Sequence, residues 1–266
     1  MSQRRACGLV GTSRSSCRYR RRNREDHAVR DRLWQLAQER PRFGYRRLGA
    51  LLRREGQRVN HKRVYRVYRE EGLAGRRRQR KHVSGIGRAV RRPPIRRNER
   101  WSLDFMADRL ATGRSFRTLN VVDEYTRECL AIEVDTSLPG ARVAQVLARL
   151  CTERGAPQVV VLDNGPELTS QVMDHWATRA QVTLDFIAPG QPSQNAYVES
   201  FNGKFRDECL NLHWFTSLME ARQLIEAWRQ DYNQQRPHSA LGYTAPEEFA
   251  YAVTTQPIMP TQNGLS

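Results

Sequence analysis

Apolar residues recur at helical spacing through the first third of the chain. Val29, Leu33, Leu36 and Ala37 mark one helix, which Pro41 stops. Leu48, Leu51 and Leu52 mark a second that ends near Gly56. Asn60 is placed to cap a third, carrying Val64, Val67 and Tyr68, with Gly72 where a C-terminal glycine belongs. A weaker pattern precedes them: residues 6–10 predict a short helix, Gly11 a turn, and Ser13 to Ser16 a serine-capped start to another helix.

From Trp101 the period changes. Trp101, Leu103 and Phe105 alternate with Ser102, Asp104 and Met106, which predicts a strand. Residues 117–122 and 128–134 predict two more around a turn at 123–127. Val143, Val146, Leu147, Leu150 and Cys151 give an amphipathic helix closed by Gly155. The strand over residues 158–162 is apolar and β-branched from Val159 on, the texture of a buried parallel strand. Val172 and Trp176 mark a helix, residues 182–187 a strand, and Val198, Phe201 and Phe205 a further helix. Ser217 and Glu220 form a capping box for a long helix with Ala221, Leu224, Ile225, Trp228 and Tyr232 on its apolar face, ending at Pro237. Beyond Phe249 the chain is rich in Thr, Pro and Gln and is expected to fray. The element order is that of an α/β, ribonuclease H-like mixed sheet flanked by helices and preceded by an all-α module.

Charge separates these modules. The 266 residues carry a net charge of +17, but residues 1–100 balance at +24 and residues 101–266 at −7. A basic module seeks a polyanion, because neutralised phosphates release condensed counterions. Three short helices with a basic last one suit a helix-turn-helix DNA reader: Lys62, Arg66 and Arg69 form a stripe, with Arg63 beside it. The expected organisation is a short basic helical segment (1–26), the helix-turn-helix (27–73), a basic linker (74–100) containing Arg76, Arg77 and Arg78, the core (101–250) and a flexible tail (251–266). No run of 18 apolar residues occurs, so no membrane span is expected. Five scattered cysteines, with no C-x-x-C pair, argue against a disulfide framework or zinc knuckle and fit a reducing cytoplasm.

Three carboxylates stand where they are costly unless used. Asp104 interrupts an aromatic strand, Asp163 ends an apolar strand before Asn164-Gly165-Pro166, and Glu199 lies on the helix of Val198, Phe201 and Phe205. On that helix Asn195, Glu199, Asn202 and Arg206 fall on a separate polar stripe, expected to face outward over the sheet edge. Converging carboxylates repel unless a cation neutralises them, and oxygen ligands without Cys or His favour Mg²⁺ or Mn²⁺ over zinc. Each also has a plain reading: Asp163 as a turn former, Asp104 as an edge-strand charge, Glu199 as a solvated helix residue. Asp108, Asp123 and Glu124 are rivals of similar placement, with Asp123 reading as a turn cap partnered by Arg127. Pattern alone does not choose among them.

The segments Trp101-Ser102-Leu103-Asp104-Phe105, Leu162-Asp163-Asn164-Gly165-Pro166-Glu167 and 189–202, with 35 residues between Asp163 and Glu199, resemble the catalytic core of retroviral-integrase-type DDE transposases. Tyr232-Asn233-Gln234-Gln235-Arg236-Pro237-His238 and Phe43-Gly44-Tyr45-Arg46-Arg47-Leu48 resemble motifs of the second-frame (orfB) proteins of the insertion-sequence-three family. The departures are small: Leu162 stands where Ser or Thr is common and Leu168 where Phe is common. The resemblance implies that Asp104, Asp163 and Glu199 are the catalytic, metal-binding triad for two Mg²⁺ or Mn²⁺ ions. It implies cleavage and strand transfer at the element's terminal inverted repeats and into target DNA, by a multimer on DNA, in the bacterial cytoplasm. It also implies fusion to, or association with, an upstream first-frame protein. Asn195, Asn202, Lys204 and Arg206 are expected at phosphates, with Gly203 allowing close backbone approach. The alternative is a non-catalytic DNA-binding regulator, or an incomplete fragment of a frameshifted transposase. A nuclease acting on RNA hybrids is disfavoured by the helix-turn-helix.

Overall fold

The structure, a computed structural model, describes residues 2–18, 26–74, 91–188 and 192–255. It divides into two compact units, Met1–Arg77 and Arg78–Ser266. Arg76, Arg77 and Arg78, most of the basic linker, residues 189–191 and the tail from residue 256 lie outside the described residues.

The first unit is helical. Helices α1 (Gln3–Leu9) and α2 (Arg14–Arg18) flank the expected glycine turn, and Ser13 Oγ accepts the Ser16 N–H at 3.1 Å, the predicted cap. Helices α3 (His27–Glu39), α4 (Tyr45–Arg54) and α5 (His61–Glu70) close around Leu33, Leu36, Leu48, Leu52, Val64 and Val67. Asn60 Oδ1 accepts the Lys62 N–H at 2.9 Å, and Gly72 takes the positive φ of 64° that ends the third helix. The stripe on α5 is only partly free to meet a ligand. Arg63 and Arg66 both pair with the buried Asp26 that precedes α3, and Arg66 also reaches Glu70 at 3.7 Å. Lys62 and Arg69 remain at the surface. Spacing could not anticipate this, because Asp26 comes from outside the helix.

The second unit is a five-stranded mixed sheet between two helical layers. Strands β1 (Arg100–Arg109), β2 (Ser115–Asp123) and β3 (Cys129–Asp135) form an antiparallel meander, followed by α6 (Gly140–Arg154), β4 (Val159–Leu162), α7 (Gln171–Ala180) and β5 (Thr183–Phe186). The spatial order is β3-β2-β1-β4-β5, with β4 parallel to both β1 and β5. Strand alternation sorts side chains between two cores. Trp101, Leu103, Leu119 and Val121 face α6 and α7, burying Val143, Leu147, Met173 and Trp176. Phe116 and Val122 face the opposite layer, α8 (Ala196–Glu208) and α9 (Leu218–Gln234), with Val198, Phe201, Phe205, Ile225 and Tyr232.

Three details differ from expectation. On α7 the inward face is Met173, Trp176 and Ala177, while Val172 is exposed, so the apolar stripe is one residue off. In the α9 capping box Ser217 Oγ accepts the Glu220 N–H, but the Glu220 carboxylate returns to Thr216, accepting its N–H and hydroxyl at 2.6 Å each. Residues after Phe249 do not fray at once: they continue α10 (Pro246–Thr255), whose Thr254 and Thr255 hydroxyls donate back to carbonyls one turn earlier. Composition suggested a breaker where threonine is instead satisfied within a helix.

Candidate active site

Asp104 lies midway along β1 on the α8 side of the sheet, the face it shares with Ser102 and Met106. Antiparallel register sets Asn120 of β2 directly opposite. Asn202 of α8 joins the two: its Nδ2 donates to Asp104 Oδ2 at 2.8 Å, and its Oδ1 accepts from Asn120 Nδ2 at 2.7 Å. The Phe105 N–H donates to Asp104 Oδ1 at 2.8 Å. Burial pushes the Asp104 carboxyl up to about 6. The Phe105 and Asn202 bonds oppose that shift, and the nearby charges of Asp163 and Glu199 add to it. Asp104 is thus within electrostatic reach of both Asp163 and Glu199.

The sheet accounts for the second of them. Ser102 pairs with Val161 across the parallel β1–β4 ladder, so Asp104 and Asp163, each two residues further on, leave the ladder side by side. Asp163 Oδ1 accepts the Gly165 N–H at 2.9 Å, tightening the turn. A β-carbon at Gly165 would sit 3.0 Å from that same oxygen, a tight contact to which the Asp163 side chain would have to yield. The turn is braced by Glu167, bonded to Arg117 Nη1 at 2.5 Å, and the Arg117 guanidinium lies 4.5 Å over the Phe105 ring. Glu199 enters from the first turn of α8, and partial burial raises its carboxyl. Among the described residues, no group of three or more Asp, Glu, His or Cys side chains stands close enough together to enclose a metal ion.

The rival acids at the turn have structural employment. Asp123 is fully buried; its Oδ1 accepts the N–H groups of Tyr125 and Thr126 at 2.9 and 3.0 Å, and its Oδ2 that of Asn98 at 2.9 Å. Its ion-pair partner is Arg154 at 3.6 Å, not Arg127, whose guanidinium lies 4.1 Å over the Tyr197 ring. Glu124 is buried against Ser102 Oγ and Arg100. Asp108 accepts the Arg109 N–H near the end of β1.

The polar stripe of α8 points differently from expectation. Asn195 and Asn202 are buried, and both spend their amides inside the protein, Asn195 Nδ2 on the Leu103 carbonyl at 3.2 Å. They line the site from beneath rather than reaching outward to phosphates. Lys204 and Arg206 do lie toward the surface, donating to Ser200 and to the Ala107 carbonyl. Nothing approaches the Gly203 β-position within 4 Å. Asn120, Arg117 and Glu167 were not singled out from sequence. An Asn between Leu119 and Val121 in an otherwise apolar strand was the available signal for the first. Arg91 was another omission: its Nη2 pairs with Asp185 at 2.9 Å and its Nη1 reaches the Gln194 carbonyl at 3.4 Å, ahead of α8.

An α/β sheet in this order, with one carboxylate midway along the central strand, one just past the end of the neighbouring parallel strand and one on a covering helix, is the ribonuclease H-like architecture of the integrase core. The Integrase core domain family matches residues 94–192 and, in a second form, 180–246, and the HTH-like domain family matches residues 20–81. The chain is 55% identical over 251 residues to the uncharacterized 31.7 kDa protein of insertion element IS407 from Burkholderia multivorans, covering 94% of this chain and 91% of that one. It is 28% identical over 243 residues to transposase InsD for insertion element IS2D from Escherichia coli, covering 86% and 80%. A chain in the simian T-cell lymphotropic virus intasome, solved with PP2A regulatory subunit B56 gamma, superposes with a TM-score of 0.54 at 15% identity, covering 88% of this chain and 80% of that one. The chain belongs to the insertion-element transposases that carry an HTH-like domain and an integrase core, the second-frame (orfB) proteins of the insertion-sequence-three family.

Proposed function

We propose that this chain is a divalent-metal-dependent polynucleotidyl transferase that nicks and joins DNA at the ends of its insertion element. The supporting observation is the setting of Asp104: a half-buried carboxylate beside the strand that ends at Asp163, within electrostatic reach of Asp163 and Glu199. Mutual repulsion holds such groups apart, and a bound cation would remove it. The donor set of Asp104, Asp163 and Glu199 offers hard oxygens with no thiol or imidazole, which suits Mg²⁺ or Mn²⁺. When bound, the metal supplies Lewis-acid activation of the attacking oxygen and neutralises the leaving one.

The remaining roles fall to protein groups. Asn202 and the Phe105 N–H fix both oxygens of Asp104, and Asn120 fixes Asn202. Gly165 and the Glu167–Arg117 pair hold the Asp163 turn. We assign residues 27–73 to reading element DNA, with Lys62 and Arg69 as the α5 groups available to phosphates, and residues 101–250 to catalysis. Lys204 and Arg206 remain the α8 candidates for phosphate contact. Assembly on paired element ends and on target DNA, with or without a first-frame partner, belongs to the same proposal.

The test is cleavage of end-labelled duplex carrying the element termini by the purified full chain. Nicked product is expected with Mg²⁺ or Mn²⁺ and none with EDTA. DNA binding of undiminished strength with no metal-dependent nicking would overturn the catalytic reading in favour of a DNA-binding regulator.

A further inference from the structure

A second site lies at the corner where the β1–β2 hairpin meets the segment after α8. Trp214 is 80% exposed there, beside a hollow of about 440 Å³ lined by Asp108, Arg109, Leu110, His213 and Phe215. A large aromatic side chain left in water forgoes the stabilisation its burial would bring. Its neighbours are held rigidly all the same. The Ala111 N–H donates to the Phe215 carbonyl at 2.7 Å, and Phe215 meets Phe116 edge-on at 5.7 Å. The His213 ring stacks on Phe215 at 5.9 Å, and its Nδ1 lies 2.9 Å from the Cys209 carbonyl oxygen. The indole is thus presented on a fixed mount.

Arginines stand near it, though acids are mixed among them, Asp108 in the same hollow and Glu220 within electrostatic reach of His213. Arg109 and Arg114 stand on the hairpin and Arg206 approaches from α8, donating to the Ala107 carbonyl at 3.2 Å; Asp108 and Asp207 offset them in part. This occurs in a module, residues 101–266, whose overall balance is −7. Asp108 shares the Asp104 face of β1, four residues further along, which is about 13 Å at strand rise. A separated DNA strand starting from a phosphodiester at Asp104 would cover that distance within a few nucleotides.

We propose that Trp214 is a stacking platform for an unpaired base of the DNA strand that runs along β1 from the carboxylates, with Arg109, Arg114 and Arg206 receiving its phosphates. The inference rests on the reading under Proposed function and adds a strand-holding subsite to it. Stacking tolerates any base, since every base offers a π-face, so the platform would hold a separated strand regardless of sequence.

The probe is 2-aminopurine, placed in turn at the first six positions from the 3′ end of a single-stranded tail on an element-end duplex. It is bound by the full chain in EDTA, so that no cleavage is needed. Quenching is expected to peak at one interior position of the tail, to fall at least threefold in Trp214→Ala and to survive in Trp214→Phe. Equal quenching in Trp214→Ala and parent overturns the platform. So does a Trp214-dependent dimer in sedimentation without any change in the probe, which would make the patch a contact between copies. Metal-dependent nicking by the parent, measured separately, reports on the catalytic reading alone.

Discussion

Replacing Asp104 by Asn is expected to yield a protein that cuts no DNA yet resists heat better than its parent. Loss of one charged ligand at the reacting centre should lower strand cleavage by about a thousandfold or more, the scale seen when a charge-stabilising group is removed. The stability gain follows from the carboxyl being pushed up to about 6 by burial. In the unfolded chain an Asp ionises near 3.9. Well below about pH 3.9 both states are protonated and the variant gains nothing. Between about pH 3.9 and 6 the unfolded parent ionises while the folded one keeps its proton, so the parent loses stability steadily; above 6 the loss is complete, and the neutral amide avoids it. After discounting for solvent at this half-buried side chain, the gain is about 1–2 kcal/mol at pH 7.5. Thermal melts in EDTA at pH 3 and 7.5 read it as a difference that is small at the lower pH and full at the higher. A variant less stable at pH 7.5, or one that still nicks, would contradict the assignment of Asp104.

The second large effect lies away from the chemistry. Arg236, at the end of α9, grips Glu208 at the end of α8 through two bonds of 2.6 and 2.7 Å, and both side chains are almost wholly buried. The guanidinium also lies 5.4 Å over the Tyr232 ring. Arg236→Ala leaves Glu208 buried and uncompensated, which should cost about 3–5 kcal/mol. At roughly 2–4 °C per kcal/mol for a unit of this size, the melting temperature should fall by about 10 °C. Replacing both, Arg236→Met with Glu208→Leu, should recover most of that loss, because two apolar groups need no partner. A double variant as unstable as the single one would show that the pair contributes something other than mutual neutralisation.

Much of this was legible from residue pattern. Period two at Trp101, Leu103 and Phe105 fixed which side of β1 carries Asp104, and helical spacing found Val198, Phe201 and Phe205 as the buried stripe beneath Glu199. What escaped were properties that depend on an element distant in sequence. Asn195 and Asn202 read as an outward stripe because helical spacing distinguishes faces but not which polar face a neighbouring sheet will cover. Arg63 and Arg66 read as ligand-facing because Asp26 lies 37 and 40 residues away. The triad itself was chosen over Asp123 and Glu124 by resemblance. Only the folded chain supplies the physical reason, the N–H groups and arginines that already employ those two acids.

The adjacency of β1 and β4 bears on when such a protein becomes able to act. Some 58 residues separate Ser102 from Val161, and α8 follows later still. During synthesis, a chain that has emerged only through Gly155 possesses the meander and α6 but neither Asp163 nor Glu199. The proposed nicking competence would therefore arrive late on the ribosome, after the helices of the first unit have had time to form.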